Sequence, residues 1–212
     1  MIPQKKVLMF ITDGKSVDEI VKQVKEVLAG GCFWIQLRMK DFTDEDIEKA
    51  IREIKPICDK YGATLIIDDR VDFASKYSLD GVHLGDDDLS VEEARNILGD
   101  KALIGVTANT IEHIILMSQK PMDYFGVGPY KFTTTKKNLK PIIGLQGYHD
   151  IFTAMQETGV DKPMVAIGGI DLQDMNDLME IGIWGVAVSG AIAHSKNPKK
   201  TTEEFMNVIS GF

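Results

Sequence analysis

The chain has 212 residues, 44% of them hydrophobic, so it is long enough to bury the core of one large globular domain spanning residues 1–212. Its formal net charge of -8 at pH 7 argues against nucleic acid or an anionic membrane as the main partner, although a local cationic site is compatible with it. The first residues lack the pattern of a secretory signal, and no apolar run reaches the roughly twenty residues that span a bilayer, so we expect a cytoplasmic protein.

Short apolar runs alternate with longer amphipathic segments along the chain. Eight runs are candidate strands: residues 7–12, 32–38, 64–67, 81–84, 102–106, 124–127, 164–167 and 185–188. Segments with helical periodicity follow them, for example residues 16–28, 44–61, 90–98 and 172–181. Ser16 with Glu19 and Ser90 with Glu93 have the spacing of capping boxes, which predicts two of the helix starts.

The order of strand and helix predicts parallel pairing, because each helix carries the chain back across the sheet. Eight such units predict an α/β fold, a single-domain (β/α)8 TIM barrel. A doubly wound open sheet is the alternative, although it usually has fewer strands. In a barrel, functional side chains gather where the strands end, so polar residues at those ends are the candidates for a site.

The second strand ends in polar side chains at alternate positions. Gln36, Arg38 and Lys40 alternate with apolar residues, and a period of two places all three on one face. Two neighbouring cations indicate an anionic ligand. The alternative is a polar strand end from which Lys40 extends to water.

Carboxylates follow the third and fourth strands. Asp68 and Asp69 end the third strand, and Asp88 lies in the segment after the fourth. Carboxylates from adjacent loops, opposite cations, are what Mg²⁺ bridging a diphosphate would require. Asp86 and Asp87 fit ordinary turn chemistry ahead of a helix instead.

Two further polar residues belong to the fourth and fifth strands. His83 has apolar neighbours on both sides, which is more typical of a packed residue of the barrel interior than of a catalyst. Thr107, at the end of the fifth strand, offers a hydroxyl group to a ligand. The segment that it begins could equally cap the following helix.

The sixth strand leads into a loop rich in threonine and lysine. Gly126 and Gly128 would let the backbone pass close to a ligand, and Thr133, Thr135 and Lys136 supply donors that fit phosphate oxygens. A solvated surface loop is the alternative.

Glycines follow the last two strands. Gly168 and Gly169 come after the seventh, and Ser189 and Gly190 come after the eighth. Backbone amides at these positions can form a phosphate site, although tight turns alone would also use glycine. Together the loops predict two anion sites and therefore two phosphorylated substrates, one of which carries a diphosphate.

In the order and spacing of six segments, the chain resembles thiamine phosphate synthase. The segments are residues 36–40, 68–74, 80–85 with Asp88, 105–108, 123–137 with Gly144, and 166–170. The resemblance covers nearly the whole chain. It implies condensation of a hydroxymethylpyrimidine diphosphate with a thiazole phosphate to give thiamine phosphate and diphosphate. In this family diphosphate departs first, and the thiazole nitrogen captures the resulting cation.

The resemblance also assigns residues by motif position. The pyrimidine diphosphate would be bound by Gln36, Arg38, Lys40, Asp68, Thr107 and Lys136. The thiazole phosphate would be bound by Thr133, Thr134, Thr135, Gly169, Ser189 and Gly190. Mg²⁺ would be held by Asp69 and Asp88. Because departure of diphosphate needs electrostatic stabilisation more than a base, the catalytic residues would be Arg38, Lys40, Thr107 and Lys136.

At several positions the chain departs from the family pattern. Asp68 stands where the family usually has Asn, Asp86 replaces a usual Gln, and Thr107 commonly appears as Ser. Ser189 and Gly190 replace a common pair of a hydrophobic residue and Ser.

Two alternatives stay open at this point. A thiazole tautomerase of the same barrel family is similar in residues 166–170 and 185–191, although its proton-transferring histidine would fall near Asn109. A non-catalytic sensor of phosphorylated ligands would accommodate Asp68 and the altered last loop. The expected partners are small-molecule substrates, and the sequence leaves a homo-oligomer open.

Overall fold

The computed structural model describes residues 5–133 and 140–212. Within these ranges eight parallel strands form a closed barrel in chain order, with the last strand paired to the first. The strands are β1 (Val7–Ile11), β2 (Trp34–Leu37), β3 (Thr64–Asp68), β4 (Gly81–Leu84), β5 (Leu103–Ala108), β6 (Tyr124–Val127), β7 (Met164–Ile167) and β8 (Gly185–Val188). The predicted (β/α)8 barrel is confirmed.

Helices surround the barrel. They are α1 (Val17–Ala29), α2 (Asp44–Tyr61), α3 (Val71–Tyr77), α4 (Val91–Leu98), α5 (Ile111–Ser118), α6 (Gly144–Glu157), α7 (Met175–Glu180), α8 (Gly190–Ala193) and α9 (Pro198–Ile209). A 3-10 helix, Leu172–Asp174, precedes α7. Of the helices in the described ranges, none has the length and apolar character needed to cross a membrane.

The two predicted capping boxes have different outcomes. At the start of α4, Ser90 and Glu93 each accept the other's backbone N–H, so that box is confirmed. At the start of α1, Ser16 accepts the N–H of Glu19, but the carboxylate of Glu19 accepts the N–H of Lys15 at 2.7 Å. The capping box predicted at Ser16 is therefore only half formed. Its Glu19 carboxylate accepts the N–H of Lys15 rather than that of Ser16.

Apolar side chains form two shells, one on each side of the strands. In the larger outer shell, Ile20 and Val24 of α1 and Ile51 and Ile54 of α2 are fully buried. The smaller inner cluster consists of Val7, Met9, Ile11, Trp34, Ile66, Leu103, Tyr124, Val165 and Ala187. A filled interior is typical of this fold and places ligand binding at the carboxyl ends of the strands, referred to below as the mouth.

Three strand ends differ from the predicted ones and change the position of site residues. β2 ends at Leu37, because the N–H of Arg38 donates to the hydroxyl of Thr12 at 2.9 Å rather than to a neighbouring strand. β3 extends to include Asp68, and β5 extends past Thr107. Asp68 and Thr107 are therefore held by the sheet, whereas Arg38 and Lys40 lie in a loop.

Candidate active site

The inward-facing polar layer begins with Gln36 and Asp68. Gln36 lies two positions after Trp34, and Asp68 lies two positions after Ile66, and both of these apolar residues face the barrel interior. Because side chains on a strand alternate, Gln36 and Asp68 face the interior as well, closer to the mouth. The Gln36 amide donates a hydrogen bond to Asp68 Oδ1, and Arg38 Nε lies 3.7 Å from Asp68 Oδ2. Both Gln36 and Asp68 are buried. The structure therefore brings these three side chains together, with Asp68 between the other two.

Asp69 connects this layer to the rim of the mouth. Its backbone is left-handed, with φ of 62°, and its carboxylate lies 2.7 Å from Lys40 Nζ. Burial alone would lower the pKa of Lys40, but the contact with Asp69 and the charges of Asp68 and Asp88 together raise it above its ordinary value. Lys40 is therefore an ammonium group at the rim.

Asp88 approaches the same point from the loop after β4. Its Oδ2 accepts the N–H of Gly85 at 2.6 Å, which restricts the orientation of the carboxyl group. Burial raises the pKa of Asp88, and the neighbouring carboxyl group of Asp69, within hydrogen-bonding reach, raises it further. Two facing carboxyl groups of like charge favour either a shared proton or a bound cation.

This pair fits a magnesium ion better than a metal held entirely by protein. Among residues 5–133 and 140–212, no cluster of three or more His, Cys, Asp or Glu side chains could hold a metal. Mg²⁺ usually takes one or two carboxylates and completes its shell with water and substrate phosphates. Asp69 and Asp88 could therefore hold Mg²⁺ together with a phosphorylated ligand.

Two cavities meet at Lys40. One of about 700 Å³ lies between the loops after β1 and β2 and is lined by Thr12, Arg38 and Lys40, among others. The other, of about 240 Å³, is lined by Lys40, Asp68 and Asp69. Cations and carboxylates thus line a space of the size that small-molecule sites occupy.

Thr107 extends the polar layer to the opposite side of the mouth. Its hydroxyl oxygen lies 3.0 Å from His83 Nε2, and His83 Nδ1 lies 3.0 Å from the hydroxyl of Tyr124. The prediction that His83 belongs to the barrel interior is confirmed. Tyr124 was not singled out by its sequence, because a tyrosine within an apolar strand run has no local signal of a polar contact.

Gly126 and Gly128 make room for internal packing. A Cβ atom on Gly126 would lie 2.7 Å from His83 Cε1, and one on Gly128 would lie 2.3 Å from the carbonyl oxygen of Ile167. The expectation that they allow the backbone to approach a ligand is therefore corrected, since neighbouring protein atoms occupy that space.

The loop after β7 packs against the start of the threonine-rich loop. Gly169 has φ of 67°, and a Cβ atom there would lie 2.7 Å from the carbonyl oxygen of Phe132. The N–H of Lys131 donates to Gly168 O at 2.9 Å. Thr133 is the residue after Phe132. The structure therefore places Gly169 next to the part of the threonine-rich loop that it describes. Thr134, Thr135 and Lys136 lie outside the described residues.

After β8, Ser189 immediately precedes Gly190, the first residue of α8. The Ser189 hydroxyl oxygen is buried and has no hydrogen-bond partner among the residues that the structure describes. A buried hydroxyl group without a partner is costly, which makes the Ser189 hydroxyl group a candidate contact for a ligand oxygen.

Thr12 is a site residue that the sequence did not reveal. Its hydroxyl accepts the N–H of Arg38 at 2.9 Å and donates to the carbonyl oxygen of Arg38 at 3.3 Å. Fully buried, Thr12 fixes the backbone from which Arg38 projects. A single threonine ending an apolar run is the signal that could have indicated this contact.

We expect the Asp68→Asn change to stabilise the metal-free protein at alkaline pH. Burial, and then the charge of Asp69, raise the pKa of Asp68 to about 7, despite the opposing effects of Lys40 and Arg38. Between its unfolded value of about 3.9 and this folded value, the folded state binds the proton more tightly, so stability falls as pH rises. At pH 8.5 with EDTA, the melting temperature of Asp68→Asn should exceed that of the wild type by at least about 2 °C.

At pH 4, close to the unfolded pKa, this difference should be much smaller. The matched control is Asp72→Asn, because contact with Arg70 lowers the pKa of Asp72 and its loss should not stabilise the protein. Equal melting temperatures for Asp68→Asn and wild type at pH 8.5 would contradict the buried, proton-retaining state of Asp68.

Fold and mouth together define a TIM-barrel protein with cations and carboxylates at the carboxyl ends of its strands. A family model described as thiamine monophosphate synthase matches residues 8–192, and the chain belongs to that family.

Relatives and solved structures agree with this membership. The chain is 45% identical over 201 residues to the thiamine-phosphate synthase of Bacteroides fragilis, covering 95% of this chain and 98% of that protein. It is 36% identical over 202 residues to the thiamine-phosphate synthase of Pyrococcus horikoshii, covering 95% and 94%. Its fold is similar to that of the thiamine phosphate pyrophosphorylase of Pyrococcus furiosus, with a TM-score of 0.84, 30% identity, and coverage of 97% and 96%.

Proposed function

We propose that this protein is a thiamine phosphate synthase, a transferase that joins hydroxymethylpyrimidine diphosphate to thiazole phosphate and releases diphosphate. Family membership supports the reaction class. The observation that carries the proposal at the site is the joint placement of Lys40, Asp69 and Asp88 at the mouth, one ammonium group beside two facing carboxyl groups. A diphosphate with Mg²⁺ is a ligand that satisfies both charges.

The diphosphate would lie at the Lys40 side of the mouth. Arg38 and Lys40 line the same cavity and would bind its oxygens, while Gln36 and Asp68 beneath them would contact the pyrimidine end. Lys136, assigned to this substrate by motif position, lies outside the described residues. Thr107 would bind from the opposite side.

The chain's contribution to the reaction is electrostatic. When the bond from the pyrimidine methylene carbon to oxygen breaks, negative charge grows on the departing diphosphate, and Arg38 and Lys40 stabilise it. The thiazole nitrogen then forms the new bond to that carbon. Because Thr12 fixes the Arg38 backbone and Asp69 pairs with Lys40, both cations are positioned before substrate binds.

Asp69 and Asp88 would hold Mg²⁺. When bound, the ion supplies positive charge to the leaving diphosphate oxygens. The left-handed backbone at Asp69 and the Gly85 N–H contact of Asp88 orient the two carboxyl groups for this role.

The thiazole phosphate would be bound where the loops after β6, β7 and β8 meet. The buried hydroxyl group of Ser189 and the close approach of Gly169 to Phe132 support this placement. Gly190 and Thr133 would contribute from the adjoining loops, together with Thr134 and Thr135, which lie outside the described residues.

The alternatives gain no comparable support. The names of the relatives are those of the synthase rather than of the tautomerase or of a sensor. Small-molecule substrates are the partners that we propose. The cytoplasmic location and the single-domain organisation stay predictions, and a homo-oligomer stays open.

The first test is the reaction itself. Purified protein incubated with hydroxymethylpyrimidine diphosphate, thiazole phosphate and Mg²⁺ should release thiamine phosphate and diphosphate in equal amounts, and EDTA should abolish both. Binding of both ligands without turnover would contradict the synthase and favour the sensor. Isomerisation of the thiazole phosphate alone would favour the tautomerase.

A further inference from the structure

A hydrogen-bonded chain of three side chains crosses the barrel interior beneath the mouth. Tyr124 of β6 contacts His83 of β4, and His83 contacts Thr107 of β5, with both distances 3.0 Å. Thr107 is the end of the chain that is nearest the mouth and is partly exposed, whereas His83 and Tyr124 are buried. The two buried members have no direct access to a substrate, so any effect on the reaction must pass through Thr107.

Strand glycines fix the two rings of this chain. His83, Gly105 and Tyr124 are register partners on three adjacent strands, so their inward faces share one level of the barrel. A Cβ atom on Gly105 would lie 2.1 Å from the Tyr124 ring, and one on Gly126 would lie 2.7 Å from the His83 ring. Each ring thus occupies the space above a residue without a side chain, which restricts its orientation.

The hydrogen-bond partners determine the direction of the chain. Burial, followed by the charges of Asp68 and Asp123, raises the pKa of Tyr124 well above its ordinary value, so the phenol keeps its proton. Among the described residues, the partner of that hydroxyl group is His83 Nδ1. A buried phenol proton needs an acceptor, and a neutral imidazole that accepts it at Nδ1 carries its own proton on Nε2.

This tautomer fixes the role of the threonine. The Nε2–H group of His83 donates to Thr107 Oγ1, which uses an acceptor position of that oxygen. The Thr107 hydroxyl proton is then directed away from His83. A donor whose direction is set before the substrate binds stabilises negative charge without reorganisation.

We propose that His83, itself oriented by Tyr124, is a positioning residue that keeps the Thr107 hydroxyl group as a donor to the pyrimidine diphosphate in the mouth. This inference rests on the proposed synthase function. His83 does not touch the substrate. Its contribution is the direction of one hydrogen bond made by Thr107.

Two substitutions of His83 separate positioning from packing. His83→Gln can place an amide donor near the former Nε2 position and retain the contact with Thr107. His83→Asn places its amide near the former Nδ1 position, retaining the contact with Tyr124 and losing Thr107. We expect kcat/KM for the pyrimidine diphosphate to fall about 10- to 100-fold in the Asn variant, as for other orienting partners, and to be substantially retained in the Gln variant. Equal losses in both variants would overturn the proposal.

A double-mutant cycle tests whether His83 acts through Thr107. In a Thr107→Val background, His83→Asn should cause no further loss of kcat/KM, because the hydroxyl group that it orients is gone. An undiminished loss in that background would assign His83 a structural role and overturn the proposal. Melting temperatures measured for all variants identify any that are unfolded.

A direct measurement on the wild type covers the case in which His83 variants do not fold. Long-range ¹⁵N–¹H NMR of histidine-labelled protein distinguishes the two tautomers, and we expect the proton of His83 on Nε2. A proton on Nδ1 would overturn the proposal. Tyr124→Phe, which removes only the hydroxyl group, should reduce the Nε2–H population and lower kcat/KM, and normal values of both would also overturn it. Failure of wild-type turnover, by contrast, would contradict the proposed function and leave the tautomer measurement intact.

Discussion

Replacing Asp69 with Asn is expected to reduce thiamine phosphate formation by about 10²- to 10³-fold, the effect typical of losing one preorganised electrostatic contact in an active site. Asn is the appropriate replacement because the backbone at Asp69 has φ of 62°, a conformation that Asn tolerates and Ala does not. The change removes the charge that would bind Mg²⁺ and keeps the shape. The measurement is the initial rate as a function of Mg²⁺ concentration, which should show a markedly higher Mg²⁺ requirement.

The matched control for this change is Asp87→Asn. Asp87 is exposed and directly precedes Asp88, in a segment where turn chemistry explains the acidic residues. It should keep the wild-type rate and the wild-type Mg²⁺ dependence. An Asp69→Asn protein with unchanged Mg²⁺ dependence would show that Asp69 does not hold the ion, whatever its rate.

The second large effect is expected for Lys40→Met. Methionine keeps most of the length of the side chain and removes the ammonium group, which is about half exposed and lies 2.7 Å from Asp69. Because negative charge on diphosphate grows as it departs, the loss should be larger in kcat than in KM, with kcat lowered by about 10²-fold. Stability should change little, since partly exposed ion pairs contribute about 0–1 kcal/mol.

Lys55→Met provides the comparison. Lys55 pairs with Asp59 at 2.9 Å on α2, so the substitution also removes an ion pair but leaves the mouth intact. Its kcat should equal that of the wild type. Wild-type kcat in Lys40→Met protein would mean that the diphosphate is not stabilised at this side of the mouth, and the proposed orientation of the substrate would be wrong.

The barrel could be predicted from the sequence because its signals are local. Apolar runs of four to seven residues separated by amphipathic segments predict strands and helices, and the intervening helices require parallel pairing. The strand ends were then enough to place Gln36, Asp68 and Thr107 at one edge. The exact strand ends could not be predicted, since the hydroxyl group of Thr12, in the segment after β1, accepts the N–H of Arg38 and ends the pairing of β2 there.

What each glycine does could not be predicted in the same way. The spacing of Gly126 and Gly128 indicated close approach to a ligand, but the space above Gly126 is filled by the ring of His83. That ring comes from a strand more than forty residues earlier in the chain. The sequence shows where a glycine lacks a side chain. It does not show which atoms from distant parts of the chain fill the space beside that glycine.

The sequence by itself determined the alternation of strands and helices, the parallel direction and the polar residues at the strand ends, because these follow from periodicity and composition within a few residues. The tertiary structure decided which of those residues touch: Gln36 with Asp68, Lys40 with Asp69, and Tyr124 with Thr107 through His83. These contacts depend on the register of neighbouring strands and on closure of the barrel, which brings distant positions onto one inward face. Protonation follows from the same closure, because burial of Asp68 and Tyr124 is what raises their pKa values.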